Sequence, residues 1–171
     1  MNFDLAIDRI LDHEGGFTKN YFDRGNWTSG KVGVGQLKGT KYGISAMTYP
    51  NEDIANLTLA QAKFIYKRDF WDVLKADRFH DGAAYQLLDF AVNSGIPNTI
   101  KAFQRAIKVK ADGVFGPMSL AAAAQLSEAK QIMLIVAERL DFMTNASGWN
   151  DFGKGWTRRM AANLRWGVQD L

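Results

Sequence analysis

The sequence predicts a mainly α fold with one small β-hairpin, and three observations carry that expectation. Apolar residues recur at helical spacing along most of the chain, glycines and β-formers gather in a single stretch between Phe17 and Tyr49, and capping or breaking residues punctuate the helical stretches. With 171 residues, 47% hydrophobic and 23% charged, the chain is long enough to bury a core and too apolar to be disordered.

The first helix is expected from Phe3 to Glu14. Phe3, Ala6, Ile7, Ile10 and Leu11 fall on one face, and Asp4, Asp8 and Asp12 on the other. At about 100° per residue Glu14 returns to roughly 20° from Phe3, in line with the apolar stripe. Gly15 and Gly16 then end the helix. The following stretch, "FTKNYFDRGNWTSGKVGVGQLKGTKYGIS", reads as short strands of a hairpin or small sheet with loops. Thr58 with Gln61 three residues on makes a capping box, so a helix is expected from Leu59 to about Asp72. Further helical patterns run from about Asp81 to Val92, from Pro97 to Ile107, from Pro117 to Leu126 and from Glu128 to Met143, and a last one starts near Lys154 or Trp156. A soft boundary is expected at "VNSGIP", residues 92–97, where a glycine and a proline separate two helices.

Composition narrows the chemistry. The absence of cysteine removes disulfide scaffolds, thiol nucleophiles and thiolate zinc sites. Two histidines, His13 and His80, leave a zinc-dependent wall amidase or peptidase short of ligands, and "HEGGF" is not the two-histidine helical pattern of such sites. No metal or other cofactor is expected. A net charge of +3 and a pI near 9.1 suit a polyanionic partner: nucleic acid, anionic lipid or a cell-wall polymer. No nucleic-acid motif supports the first. With no charged-then-apolar leader and no apolar run of about 18 residues, the protein is expected to fold in the cytoplasm and to need outside help to work elsewhere.

Glu14 is the foremost candidate for chemistry. A carboxyl group at a helix C-terminus meets the negative end of the macrodipole, and apolar neighbours strip its water; both favour the protonated form. That is the condition for a general acid able to protonate a glycosidic oxygen. The same position also suits a carboxylate bonded to amides of the next loop or paired with Arg9. A glycosidase needs a second group across the scissile bond, and Asp23 is the nearest downstream carboxylate. It is placed either to hold a water or to close its own turn before "RGN".

The run "HEGGF", followed by Asp23 and "GTKYGIS", resembles glycoside hydrolase family 108, the phage and prophage N-acetylmuramidases whose hallmark is a helix ending in Glu-Gly-Gly. "YKRDFWD" and "LLDFAVNSG" resemble the rest of that catalytic region. "FQRAIKVKADGVFGPMSLAA" and "GKGWTRRM" resemble the peptidoglycan-binding segment usually attached to it. The resemblance implies a lysozyme-like helical globule, with residues 1–92 as the muramidase region and 93–171 as a helical peptidoglycan-binding region packed with it. The implied reaction is hydrolysis of the β-1,4 bond between N-acetylmuramic acid and N-acetylglucosamine. Glu14 takes the catalytic glutamate position, and Asp23 with a threonine positions the water. Here the chain departs from the family, because "RGNWTSGKVGVGQLKG" lengthens the turn before that threonine. Thr40 is the choice by motif, since "TKYGIS" matches the family strand; Thr28 or Ser29 is the choice by spacing. Analogy with phage-type lysozymes favours inversion of the anomeric centre, which would set the two carboxyl groups about 6.5–9.5 Å apart.

Tyr42, Trp27, Tyr66 and Trp71 are candidates to line a saccharide groove, with core packing as the competing role for each and Tyr42 the foremost exception. Asn93 and Ser94, at a helix end, would either bond acetamido groups or stop the helix. "ADGVFGPMS" holds an Asp112-Gly113 turn with Pro117 at the first position of the next helix, which accounts for it structurally as well as ligand contact does. At the C-terminus Lys154, Arg158, Arg159 and Arg165 alternate with Trp156, Met160, Leu164 and Trp166, a basic amphipathic pattern that suits anionic lipid or lipopolysaccharide, or a terminal helix docked by its tryptophans. The expected picture is a monomeric phage or prophage endolysin that waits in the host cytoplasm for holin-dependent release to the wall. A non-catalytic peptidoglycan-binding module and a wall amidase are the alternatives.

Overall fold

The computed structural model describes residues 3–11 and 16–171. Among them the chain is mainly helical with one two-stranded antiparallel sheet, as the apolar spacing predicts. In order come α1 (Phe3–Leu11), a 3-10 turn (Arg24–Asn26), β1 (Thr40–Lys41), β2 (Ile44–Ser45), α2 (Leu59–Tyr66), a 3-10 turn (Ala76–Arg78), α3 (Asp81–Ser94), α4 (Ile96–Ala106), α5 (Pro117–Ala124), α6 (Glu128–Thr144) and α7 (Trp149–Asp170). The chain divides into two compact units, one of residues 7–67 and the other of residues 68–171 with the start of α1.

In the 7–67 unit, the α1 stripe is buried as its spacing requires: Ile7 and Ile10 are fully enclosed. The capping box at α2 is complete, with the Thr58 hydroxyl accepting from the Gln61 amide at 3.2 Å and the Gln61 side chain accepting from the Thr58 amide at 2.8 Å. Lys63 pairs with Asp8 at 2.6 Å.

The helix expected to reach Asp72 stays regular only to Tyr66, and the chain then widens into a π turn over Lys67–Trp71. Such widened turns shift the facing of the residues that follow, and Trp71 at its end is buried. In the 68–171 unit α3 is the central helix. Every residue from Gly82 to Ala91 is buried, as in a helix packed on all sides, and α4, α6 and α7 all pack on it. Within "VNSGIP" α3 ends at Ser94, Gly95 has φ +85°, and Pro97 sits in the first turn of α4.

The last helix begins at Trp149, before the expected Lys154 or Trp156. Gly153, inside this helix, is buried with the Trp149 ring so close that a Cβ would sit 3.0 Å from it. The missing side chain makes room for a ring one turn earlier in the same helix.

Candidate active site

Glu14, the foremost catalytic candidate, lies outside the described residues. The site is therefore built from the hairpin and the turn that follow it in the 7–67 unit.

The hairpin turns on Tyr42 and Gly43, with φ of 51° and 74°. Positive φ at both central residues is the two-residue turn whose twist matches paired strands, and it sets the register Lys41 opposite Ile44 and Thr40 opposite Ser45. Thr40 is also held from its other edge, where its backbone exchanges two 2.9 Å hydrogen bonds with Thr18. Its hydroxyl thus projects from a strand fixed on both sides.

That hydroxyl donates to the side-chain oxygen of Asn26 at 2.7 Å. Asn26 is fully buried, and its amide nitrogen donates to the Asn20 carbonyl at 3.0 Å, so its oxygen must be the acceptor that faces Thr40. Asn26 ends the 3-10 turn that Asp23 caps, with one Asp23 oxygen accepting from the Gly25 amide at 2.8 Å. Asp23 itself is exposed, and its second carboxylate oxygen has no partner among the described residues. Through Asn26 the turn of Asp23 and the strand of Thr40 form one hydrogen-bonded unit.

The lengthened segment between them closes on itself. Trp27 pairs with Leu37, the Thr28 amide donates to the Gln36 carbonyl at 3.0 Å, and the amides of Lys38 and Gly39 return to the Asn26 carbonyl at 2.9 and 3.0 Å. The Thr28 hydroxyl oxygen accepts from the Gln36 amide at 3.0 Å and so serves the closure of this loop. Ser29 likewise bonds within it, donating to the Val34 carbonyl at 2.8 Å.

The aromatic candidates sort by burial. Trp71 is 1% exposed, with its indole N–H on Asp77 at 2.8 Å and its ring edge-on to Phe3, so it is a core side chain and presents no face to a sugar. Trp27 is 7% exposed, its N–H held by the Tyr21 carbonyl at 2.8 Å, and is also packed. Tyr66 is buried, its hydroxyl donating to the Tyr42 carbonyl at 3.0 Å. Tyr42 alone of the four is half-exposed, at the hairpin tip, with the Lys41 ammonium 5.5 Å from its ring centre.

Sequence reasoning passed over Phe22, which is 82% exposed and adjoins Asp23. Its amide is held by the Asn20 side chain at 3.0 Å, and the rings of Phe22, Tyr21 and Trp27 meet edge to face in succession. An apolar ring anchored this firmly in water is suited to stack on a pyranose.

In the 68–171 unit, Asn93 is exposed at the end of α3 and donates to the Asp89 carbonyl at 2.7 Å. One turn earlier lies a cluster the sequence reading also missed. The fully buried Asp89 carboxylate accepts from Arg139, from Arg159 at 3.0 Å through Nε, and from Asn163 at 2.6 Å, while Tyr85 donates to Asn163 at 3.0 Å. Burial pushes the Asp89 carboxyl up, but the charges and hydrogen bonds of the two arginines outweigh it and bring it down to about 2. Arg159, expected on the solvent face of a basic helix, is thus partly turned inward, whereas Lys154, Arg158 and Arg165 are exposed.

The "ADGVFGPMS" turn is organised by the buried Gln104, whose amide nitrogen reaches Asp112, the Val114 carbonyl and Ser119, each at 2.9 Å. Its oxygen accepts from Gly113 at 2.9 Å. The Gln104 hydrogen bond, followed by the Val114 amide, holds the Asp112 carboxyl below its ordinary value.

The glycosyl hydrolase 108 family model matches residues 7–95 of the chain. Among solved structures, that of Brucella abortus SagA is similar over 98% of this chain and 94% of its own, at 26% identity and a TM-score of 0.82. No curated protein matches.

Proposed function

The chain belongs to glycosyl hydrolase family 108, and from that premise we propose that it is an N-acetylmuramidase with Glu14 as general acid and Asp23 and Thr40 as the pair that positions the attacking water. The membership carries a mainly helical, lysozyme-like fold and hydrolysis of glycosidic bonds in peptidoglycan. The bond, the residues and the biological setting are our reading.

One observation supports the water site above the rest: the proton of the Thr40 hydroxyl is committed to Asn26. With that proton engaged, the Thr40 oxygen meets a water only as an acceptor. The Asp23 oxygen that does not cap the turn is an acceptor as well. A water that donates one hydrogen to each turns its lone pair away from both, toward an anomeric carbon. As the leaving oxygen takes the proton of Glu14, the water attacks and passes a proton to Asp23. Thr28 is the weaker candidate because its oxygen already receives the Gln36 amide. Tyr42 and the exposed ring of Phe22 are placed to pack on sugar rings, and Asn93 stands as a proposed acetamido contact.

The test is cleavage of purified peptidoglycan followed by mass spectrometry of the new reducing ends. N-acetylmuramic acid is expected there; N-acetylglucosamine would make the enzyme a glucosaminidase and refute the bond assignment. Glu14→Gln should abolish turbidity clearing while leaving the fold and wall binding intact, and unchanged clearing would remove Glu14 as the acid. We also propose the endolysin setting, with holin-dependent release from the host cytoplasm. Lysis that proceeds equally without any holin would overturn it.

A further inference from the structure

The inner face of α7 is taken up by packing within the 68–171 unit. Gly153, Met160, Asn163 and Gly167 are buried, Trp166 lies edge-on to Tyr85 with ring centres 5.5 Å apart, and Arg159 is bonded to Asp89. The side chains left on the outside are a different set. Lys154, Arg158 and Arg165 are exposed, and at about 100° per residue they fall within roughly 40° of one another around the helix. No acid among the described residues pairs with any of the three.

A second row runs beside these cations. Leu164, 43% exposed, and Val168, 73% exposed, lie about 80° to one side of them. The sector that holds both rows spans about 120°, and the two acids of the helix, Asp151 and Asp170, fall outside it, Asp151 at its border. An open groove of about 720 Å³ is lined by the first half of α7, where Lys154, Thr157 and Arg158 offer donors suited to a phosphate group against the one carboxylate of Asp151.

A lone exposed leucine or arginine carries no message, because most protein surfaces have both. The parallel rows do, because they restrict what can satisfy the sector. A polyanion dissolved in water would answer the cations and leave Leu164 and Val168 wet. A bilayer answers both at once: its phosphate head groups lie directly above the acyl chains, so the long basic side chains reach the phosphates while the apolar row enters beneath them.

We propose that this sector of α7 docks the protein on a bilayer surface rich in anionic phospholipid. The docking does not depend on which bond the enzyme cuts, and it would hold the hydrolase at a membrane beside its polymer.

The experiment sediments the full wild-type chain with vesicles of phosphatidylglycerol and phosphatidylcholine in equal parts, and with vesicles of phosphatidylcholine alone. Saturable binding to the first and none to the second is expected, weakening as salt is raised. No binding to the anionic vesicles, or equal binding to the neutral ones, overturns the proposal without recourse to any variant. The double variant Arg158→Glu with Arg165→Glu should bind at least about tenfold more weakly, whereas Lys31→Glu with Lys110→Glu, the same change of net charge placed off α7, should stay within about twofold of wild type. Equal loss in the two pairs would trace the binding to overall charge and overturn the assignment to α7. Leu164→Ser with Val168→Ser should weaken binding about fivefold or more, and undiminished binding would overturn the bilayer as occupant in favour of a soluble polyanion. Binding to lipopolysaccharide aggregates but not to the phosphatidylglycerol vesicles would likewise overturn the phospholipid surface. All the substituted side chains are exposed, so circular dichroism melts and lipid-free clearing of peptidoglycan should match wild type. Those two readouts keep a failure of this proposal separate from a failure of the muramidase reading.

Discussion

Asp89→Asn gives the most quantitative test of how the α3–α6–α7 core is held. Asparagine keeps the shape of aspartate and approximates its protonated form, so the substitution removes the charge that faces Arg139 and Arg159 while leaving the volume almost unchanged. The carboxyl group falls from an ordinary 3.8 to about 2 in the folded protein. At roughly 1.4 kcal/mol per pKa unit, this corresponds to about 2 kcal/mol of stability. Because the folded pKa is the lower one, that contribution is fully present above about pH 4 and disappears as pH falls through about 2.

The variant should therefore be about 2 kcal/mol less stable than wild type at pH 7. The gap should narrow between pH 4 and pH 2, because wild type then acquires the proton that makes it resemble the variant. Urea denaturation followed by circular dichroism at several pH values measures both stabilities, and other titrating groups cancel in the difference. A gap that stays constant down to pH 2 would refute the linkage argument. Equal stability at pH 7 would refute the claim that the carboxylate is held by its arginines, since an uncompensated pair of guanidiniums cannot be neutral to folding.

Three further outcomes follow from the 7–67 unit. Thr40→Val removes the donor to Asn26 and leaves a buried acceptor unpaired, which should cost about 1–3 kcal/mol in denaturant melts and lower peptidoglycan cleavage by roughly a hundredfold, whereas Thr28→Val should retain most activity. Gly39→Ala would bring a Cβ to 2.5 Å from the Thr18 carbonyl oxygen and 2.7 Å from the Phe17 ring at a φ of +94°; a loss of about 2 kcal/mol or more is expected, and an unchanged Tm would contradict the packing described. Phe22→Ala should leave stability within about 0.5 kcal/mol, because the ring is exposed, yet raise KM for soluble peptidoglycan about fivefold with kcat unchanged.

What the sequence made legible was local. The α1 stripe, the Thr58 capping box and the glycine-rich hairpin each lie within a few residues, where periodicity and turn chemistry act directly. The Asp89 cluster was illegible for the converse reason. Its partners Arg139, Arg159 and Asn163 stand 50, 70 and 74 residues away, and no spacing rule links an acid in one helix to bases in two others. Residue type alone misled at Trp71: an indole has the right surface for a sugar, but burial against Phe3 is a property of the fold. The lengthened segment after Asp23 shows the limit most clearly. Counting residues from Asp23 points to Thr28, but counting assumes a chain that advances, and here residues 27 to 37 leave and return to the same place. The Asn26 carbonyl receives Lys38 and Gly39, so the chain resumes beside the turn it left, and Thr40 follows with its hydroxyl on Asn26. An inserted loop that closes on its own hydrogen bonds changes sequence distance without changing spatial distance. In such a chain the strand motif "TKYGIS" is a better guide to the hydroxyl than the interval from the carboxylate.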